Sequence, residues 1–155
     1  MTPKLLAALL TIVLPLALSG CAKGEAPRAA DIIAPAQAFT DFGDLRVHYN
    51  VMPTLTLPEA MAREYRVAKD ADTALVFVAL RRLANGEEQA AQGEVAGQAL
   101  DLQGKRQQVR FASVRIGEYT DHIGTIQVSA RDSYRFELNV RANGRAHAVK
   151  FQRNF

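Results

Sequence analysis

Residues 134–151, YRFELNVRANGRAHAVKF, carry the clearest structural pattern in this sequence. In the first half of this stretch, polar or charged residues alternate with four apolar ones: Tyr134, Phe136, Leu138 and Val140. This period of two is typical of a β-strand with one buried face. Asn143-Gly144 follows, and both residue types accept the positive φ angles of a two-residue hairpin turn. The stretch therefore predicts a β-hairpin.

The position of this turn determines how the two strands pair. Folding the chain about it produces four facing pairs: Val140 with His147, Leu138 with Val149, Phe136 with Phe151, and Glu137 with Lys150. Apolar side chains then meet on one face, and opposite charges meet on the other. The predicted register is self-consistent on both faces.

Further strand signals recur upstream of the hairpin. Residues 45–51 alternate and end at Pro53, residues 74–80 form a continuous apolar run, and shorter strands are predicted within 93–102, 109–114 and 123–128. The continuous run suits a central strand that is covered on both faces, or one near a helix. About seven short strands predict an all-β fold, an antiparallel immunoglobulin-like β-sandwich, with a small barrel as the alternative.

One short helix interrupts the strands. Residues 58–65 begin with Pro58 and Glu59, and proline in the first turn with an acid beside it is typical of a helix N-terminus. Met61 and Tyr65 are four residues apart and would share its buried face. We expect this helix to cap one open end of the sandwich.

The N-terminus has the features of an export signal. Lys4 precedes an apolar run from Leu5 to Leu18, which is shorter than the roughly 20 residues that span a bilayer. The following Leu18-Ser19-Gly20-Cys21 resembles the lipobox of bacterial lipoproteins. That resemblance implies removal of residues 1–20 and a diacylglycerol on Cys21. The alternative is an ordinary cleaved signal with a cysteine nearby.

Composition changes after Cys21 and divides the chain. Residues 21–38 are rich in Ala and Pro and are predicted to be the lipidated cysteine and a flexible tether, whereas 39–155 form the β-sandwich domain. Ala22 is not the aspartate that resembles an inner-membrane retention signal. We therefore expect a lipid-anchored protein of the cell envelope that faces the periplasm, with the outer membrane favoured over the inner.

Charge and cysteine content exclude several classes of protein. The formal net charge is +3, and the basic residues are scattered among acidic ones, so no nucleic-acid-binding stripe is predicted. Cys21 is the only cysteine, so the domain depends on packing without a disulfide. No phosphate loop, dinucleotide fingerprint or CxxC pair occurs, and no cofactor is predicted.

The order of these features is similar to that of the DUF4426 family, uncharacterised exported proteins of Gram-negative bacteria. The residues that carry the resemblance are 42–50 (FGDLRVHYN), Leu57-Pro58 at the start of the helix, and residues 119–128. The resemblance covers nearly all of residues 39–155. It implies a compact β-rich envelope domain and transfers neither a catalytic residue nor a ligand.

A polar corner at residues 118–122 carries the side chains that an acid–base site would use, among them Tyr119, Asp121 and His122. No nucleophile lies nearby in sequence, and Ser113 and Ser129 lack the Gly-x-Ser-x-Gly elbow. We therefore predict that the protein is not an enzyme. Tyr119, Asp121 and His122 are retained as a possible binding surface on a loop.

The three histidines, His48, His122 and His147, are the other candidates for chemistry. A metal site needs two or three such ligands to converge. The predicted strands direct His147 to the face of Val149 and His48 away from that of Val47 and Tyr49. We therefore predict no metal site.

These features favour a protein-interaction or accessory module of the envelope. Its partners would be the membrane, through the lipid, and an unidentified envelope protein, through a strand added to an exposed sheet edge. The alternative is a periplasmic carrier of a small ligand or metal ion that uses His122, Asp121 and Met or Tyr side chains. An enzyme is a third and weaker hypothesis.

Overall fold

The computed structural model describes residues 38–155. The predicted signal peptide (residues 1–20), the lipid-attachment residue Cys21 and the tether before Ala38 lie outside the described residues. Within residues 38–155, no helix is both long enough and apolar enough to cross a membrane.

Ten strands form two antiparallel sheets: β1 Phe39–Phe42, β2 Leu45–Pro53, β3 Thr73–Ala84, β4 Glu87–Ala90, β5 Glu94–Leu100, β6 Arg106–Val109, β7 Ala112–Ile116, β8 Tyr119–Gln127, β9 Ser133–Ala142 and β10 Arg145–Asn154. One sheet has the order β1-β2-β3-β8-β7, with β4 beside the end of β3, and the other has the order β10-β9-β5-β6. The antiparallel β-sandwich is confirmed, with ten strands where about seven were predicted.

The hairpin of β9 and β10 has the predicted register. All four predicted pairs occur, from Val140 opposite His147 to Phe136 opposite Phe151. Asn143 and Gly144 both have positive φ, 51° and 72°, as a type I′ turn requires. The inner face of β9 is fully buried between the sheets, and Phe136 has no exposed surface.

Strand β3 is buried on both faces, as its continuous apolar run predicted. Its inner face places Val76 and Val78 in the core between the sheets, while Leu75, on the opposite face, lies in a second apolar cluster. That second cluster is closed by Leu57 and Ala62, which come just before and within the short helix α1, Glu59–Glu64.

The position of α1 differs from the one we expected. The helix covers the outer face of the six-stranded sheet and does not cap an open end. The physical reason lies in the sheet, since Leu75 and Phe77 of β3 and Ile123 of β8 would otherwise present an apolar patch to water.

Residues 109–114 do not form one strand. The chain leaves the four-stranded sheet at Val109 and enters the other sheet as β7 at Ala112. At this crossing its backbone lies against Gly124 of β8, where a Cβ atom would come within 3.1 Å of the Arg110 carbonyl oxygen. The change of sheet depends on this close approach, which a local sequence pattern does not reveal.

The predicted polar corner is also mostly strand. Tyr119, Asp121 and His122 belong to the first half of β8, and the turn before it is made by Gly117-Glu118, with Gly117 at φ 60°.

Strands β1 and β4 were not predicted, because they are only four residues long and β4 is largely polar.

Candidate functional site

Strand β8 separates two of the predicted site residues. Asp121 and His122 are adjacent, so their side chains extend to opposite faces of the sheet. Each residue is only about 5% exposed. Tyr119 is half-buried and lies on the same face as Asp121. Asp121 and His122 therefore do not converge on one substrate position.

Asp121 lies on the outer face in a set of hydrogen bonds. Arg81 donates from Nη2 to Asp121 Oδ1 over 3.1 Å, and the Tyr65 hydroxyl donates to Oδ2 over 3.2 Å. Burial and the charge of Asp121 raise the pKa of Tyr65 to about 12, so the phenol remains a donor at neutral pH. The Arg81 guanidinium also lies 4.2 Å from the centroid of the Tyr119 ring. Asp121 is held as a paired structural carboxylate.

His122 lies on the inner face of β8, beside β7. Its Nδ1 is 3.3 Å from the hydroxyl oxygen of Ser113. Burial lowers the pKa of His122, which keeps the ring neutral at neutral pH. A Ser–His pair resembles part of a catalytic triad, but the neighbouring Asp121 extends to the other face and does not orient the ring.

The polar contacts continue along the outer face toward β1. Glu88 of β4 accepts hydrogen bonds from His48 Nε2 over 2.9 Å and from Arg46 Nη1 over 3.0 Å, and Arg46 Nε is 2.7 Å from Asp41. Desolvation raises the pKa of Glu88, but the bonds to His48 and Arg46 outweigh it and lower the pKa overall. Sequence reasoning missed this cluster because Arg46 and Glu88 are 42 residues apart.

The three histidines occupy separate surroundings. His48 contacts Glu88 on the outer face, His122 lies beside Ser113, and the His147 ring packs 4.5 Å from the ring of Phe42. In residues 38–155, no three His, Cys, Asp or Glu side chains come together as metal ligands.

A pocket of about 290 Å³ opens on the outer face between β2 and α1. We call it the outer pocket. Its apolar lining comes mainly from Met52, Met61, Leu75 and Phe77, and its polar lining includes His48, Asn50 and Tyr65. Because His48 is bonded to Glu88 and Tyr65 to Asp121, these hydrogen bonds hold two side chains of the pocket in place.

Strand β10 forms a long free edge of the four-stranded sheet. It contains ten residues and pairs only with β9. Ala142 and Arg145 flank the two-residue turn as a bonded pair, so odd-numbered residues of β10 bond to β9 and even-numbered ones direct N–H and C=O groups outward. Within residues 38–155, no other backbone hydrogen bond reaches this edge between Ala146 and Gln152.

Other edges of the two sheets are short or covered. Strands β1, β4 and β6 have four residues each, and β7 has five. The last residue of β8, Gln127, is covered by the side-chain amide of Gln107 from β6. This amide donates to the Gln127 carbonyl over 2.9 Å and accepts from the Gln127 N–H over 3.0 Å. The part of β2 that extends past β1 is also an edge. There the Asn50 side chain accepts a hydrogen bond from the N–H of Val51 over 2.8 Å, and Pro53 has no N–H.

Comparisons with known proteins agree with this architecture. The model of a family described as "Domain of unknown function (DUF4426)" matches residues 39–155. The structure is similar to that of a DUF4426 family protein from Pseudomonas aeruginosa PAO1, with 25% identity, a TM-score of 0.64 and coverage of 76% of this chain and 92% of that one.

A second solved structure is more distant. It is a copper-bound variant of FetP from uropathogenic Escherichia coli strain F11, with 8% identity, a TM-score of 0.52 and coverage of 76% of this chain and 88% of that one. At that identity the likeness concerns the fold alone. A search of curated proteins finds no match.

Proposed function

Since the chain belongs to the DUF4426 family, whose domain has no known function, we propose a role for it from its structure. The protein is a lipid-anchored, periplasm-facing accessory module that binds an envelope protein by adding a strand of that partner to its own sheet. The free edge of β10 is the observation that carries this proposal, because an extended segment gains main-chain hydrogen bonds along it.

The side chains along this edge indicate what kind of segment would bind. Between β10 and β2, a small opening of about 70 Å³ is lined by Tyr49, Val51 and Phe151, and the two rings stack at 4.5 Å. An inward apolar side chain of an added strand would fill this opening. On the solvent face the edge carries Ala146, Ala148 and Lys150, which leave room for polar side chains. The partner segment should therefore alternate apolar and polar residues.

Photo-crosslinking in cells tests the proposal. A photoreactive residue is placed at Ala148, on the free edge of β10, and in a separate strain at Arg115, on the short edge strand β7. We expect one dominant crosslinked protein from position 148 and none from position 115. Equal crosslinking from both edges would contradict strand addition at β10.

A matched pair of proline variants tests the backbone contribution. Ala148→Pro removes an outward N–H that β9 does not use, and Arg115→Pro makes the equivalent change on β7. Crosslinking through a second photoreactive residue, at Gln152, should fall at least tenfold in Ala148→Pro, as expected when a strand loses backbone hydrogen bonds to its partner, and should persist in Arg115→Pro. Melting temperatures of both variants equal to that of the unsubstituted protein would exclude a folding defect.

The anchor is tested separately. We expect Cys21→Ser to release the mature protein from the membrane fraction and to abolish the mass added by lipid. If the Cys21→Ser chain remains membrane-bound with unchanged mass, the lipid anchor is refuted, and strand addition can still be measured on the same chain.

The outer pocket favours a second candidate function, a periplasmic carrier of a small ligand. The geometry supports a small organic molecule better than a metal ion, because Asp121 and His122 extend to opposite faces of β8. Asp121 does not line this pocket, but it accepts a hydrogen bond from Tyr65, which does.

A further inference from the structure

We infer that the outer pocket binds a small, mostly apolar molecule that carries one uncharged hydroxyl group. This inference makes the carrier function specific in its ligand chemistry and does not depend on strand addition at β10. It rests on the size of the pocket, on the composition of its walls, and on the hydrogen-bonding capacity left at its rim.

The size of the pocket limits the ligand. Its volume of about 290 Å³ lies near the lower end of the range for small-molecule sites. It is about twice the volume of a dry apolar cavity that admits benzene, so roughly twelve non-hydrogen atoms would fill it. A long acyl chain or a sugar chain exceeds this volume.

The walls select for apolar surface that need not have one fixed shape. Leu75 and Phe77 of β3 line the pocket together with Met52 of β2 and Met61 of α1. Methionine has three rotatable bonds and a polarisable sulfur, so it adapts to ligands of different outline and contacts aromatic rings favourably. The pocket is therefore suited to a compact aliphatic or aromatic body.

The rim offers both a donor and an acceptor. The Asn50 side-chain oxygen accepts the N–H of Val51, which leaves its amide nitrogen as the donor available to a ligand. The Tyr65 hydroxyl donates to Asp121, which leaves its oxygen as an acceptor. A hydroxyl group both donates and accepts, so it can use either of these rim groups.

Charge at the rim disfavours an ionised ligand. Glu88 is paired with His48 and Arg46, and Asp121 is paired with Arg81, so these carboxylates already have cationic or hydrogen-bonding partners. A carboxylate or ammonium group entering the pocket would lose hydration without gaining a new counter-charge. An uncharged hydroxyl group does not incur this cost.

Calorimetric titration with three related probes tests the inference. The protein is the exported chain with Cys21→Ser, which needs no detergent to compete for the pocket. The probes are 4-propylphenol, propylbenzene without a hydroxyl group, and 4-propylbenzoate with a negative charge. We expect one 4-propylphenol per chain, and about tenfold weaker binding of the other two, as the loss of one satisfied hydrogen bond predicts.

Variants locate the site and its hydroxyl contact. Met61→Glu introduces a carboxylate into the pocket and should abolish binding, whereas Ala60→Glu adds the same charge to an exposed position of α1 and should leave binding unchanged. Asn50→Ala should weaken binding of 4-propylphenol and leave that of propylbenzene unchanged, because only the former uses the amide donor.

Three outcomes would overturn the inference. Equal affinity for 4-propylphenol and propylbenzene would remove the hydroxyl contact, and unchanged binding in Met61→Glu would place the site elsewhere. Failure of all three probes to bind would refute this class of ligand. Crosslinking at β10 is measured independently, so the inference can fail while strand addition stands.

Discussion

The hairpin of β9 and β10 and the outer face of the six-stranded sheet are built in opposite ways. The hairpin is local, since its paired residues lie within one stretch of about twenty, and its register follows from the turn. The outer face joins distant parts of the chain: Arg81 and Asp121 are 40 residues apart, and Tyr65 and Asp121 are 56 apart. Apolar alternation specifies the first region, and tertiary packing specifies the second.

The largest loss of stability should come from the hairpin. Phe136 is fully buried and stacks on Phe151, with ring centroids 4.9 Å apart. Replacing it with alanine removes apolar contact and leaves a cavity, so Phe136→Ala should lower the free energy of unfolding by about 3–5 kcal/mol. Urea denaturation measures this, with Leu102→Ala as a control at a side chain that is 68% exposed and should change it by less than about 0.5 kcal/mol.

A smaller loss is expected on the outer face. Asp121→Ala leaves the largely buried Arg81 guanidinium without its carboxylate, which should cost about 3 kcal/mol in the same urea experiment. Adding Arg81→Met should recover part of the loss, because the unpaired charge is then gone. If Asp121→Ala proves more destabilising than Phe136→Ala, the contacts of Asp121 with Arg81 and Tyr65 contribute more to stability than the hairpin core does.

The smallest effect concerns pH. Burial lowers the pKa of His122 in the folded protein below its ordinary value of 6.5. Between those two values the unfolded chain binds a proton that the folded chain does not, so unfolding becomes easier as the pH falls from 6.5 through the folded pKa. His122→Asn should flatten the fall in urea midpoint between pH 7 and pH 5. An identical pH slope in both proteins would show that His122 does not contribute to it.

The sequence predicted the sandwich, the hairpin register and the covering of β3 on both faces. Each follows from periodicity or turn chemistry within a short window, as with Asn143 and Gly144. The division of residues 109–114 between two sheets was not predictable, because it depends on the approach of Arg110 to Gly124 across the sandwich.

The candidate site was less predictable than the fold. The sequence singled out Tyr119, Asp121 and His122 as neighbours on a loop, but the pleat of β8 places Asp121 and His122 on opposite faces of the sheet. Glu88 was not singled out at all, since β4 is short and polar and its contacts with Arg46 and His48 come from another strand. No local pattern encodes contacts between residues so far apart.

The unequal edges of the two sheets have a consequence for assembly. A protein with two open edges can join to further copies at both ends and grow into a fibre. Here β10 has ten residues and is open, whereas β6, at the other end of the same sheet, has only four residues. The proposed association through β10 would therefore have a valence of one, because the short edge at β6 offers few backbone groups to a second strand.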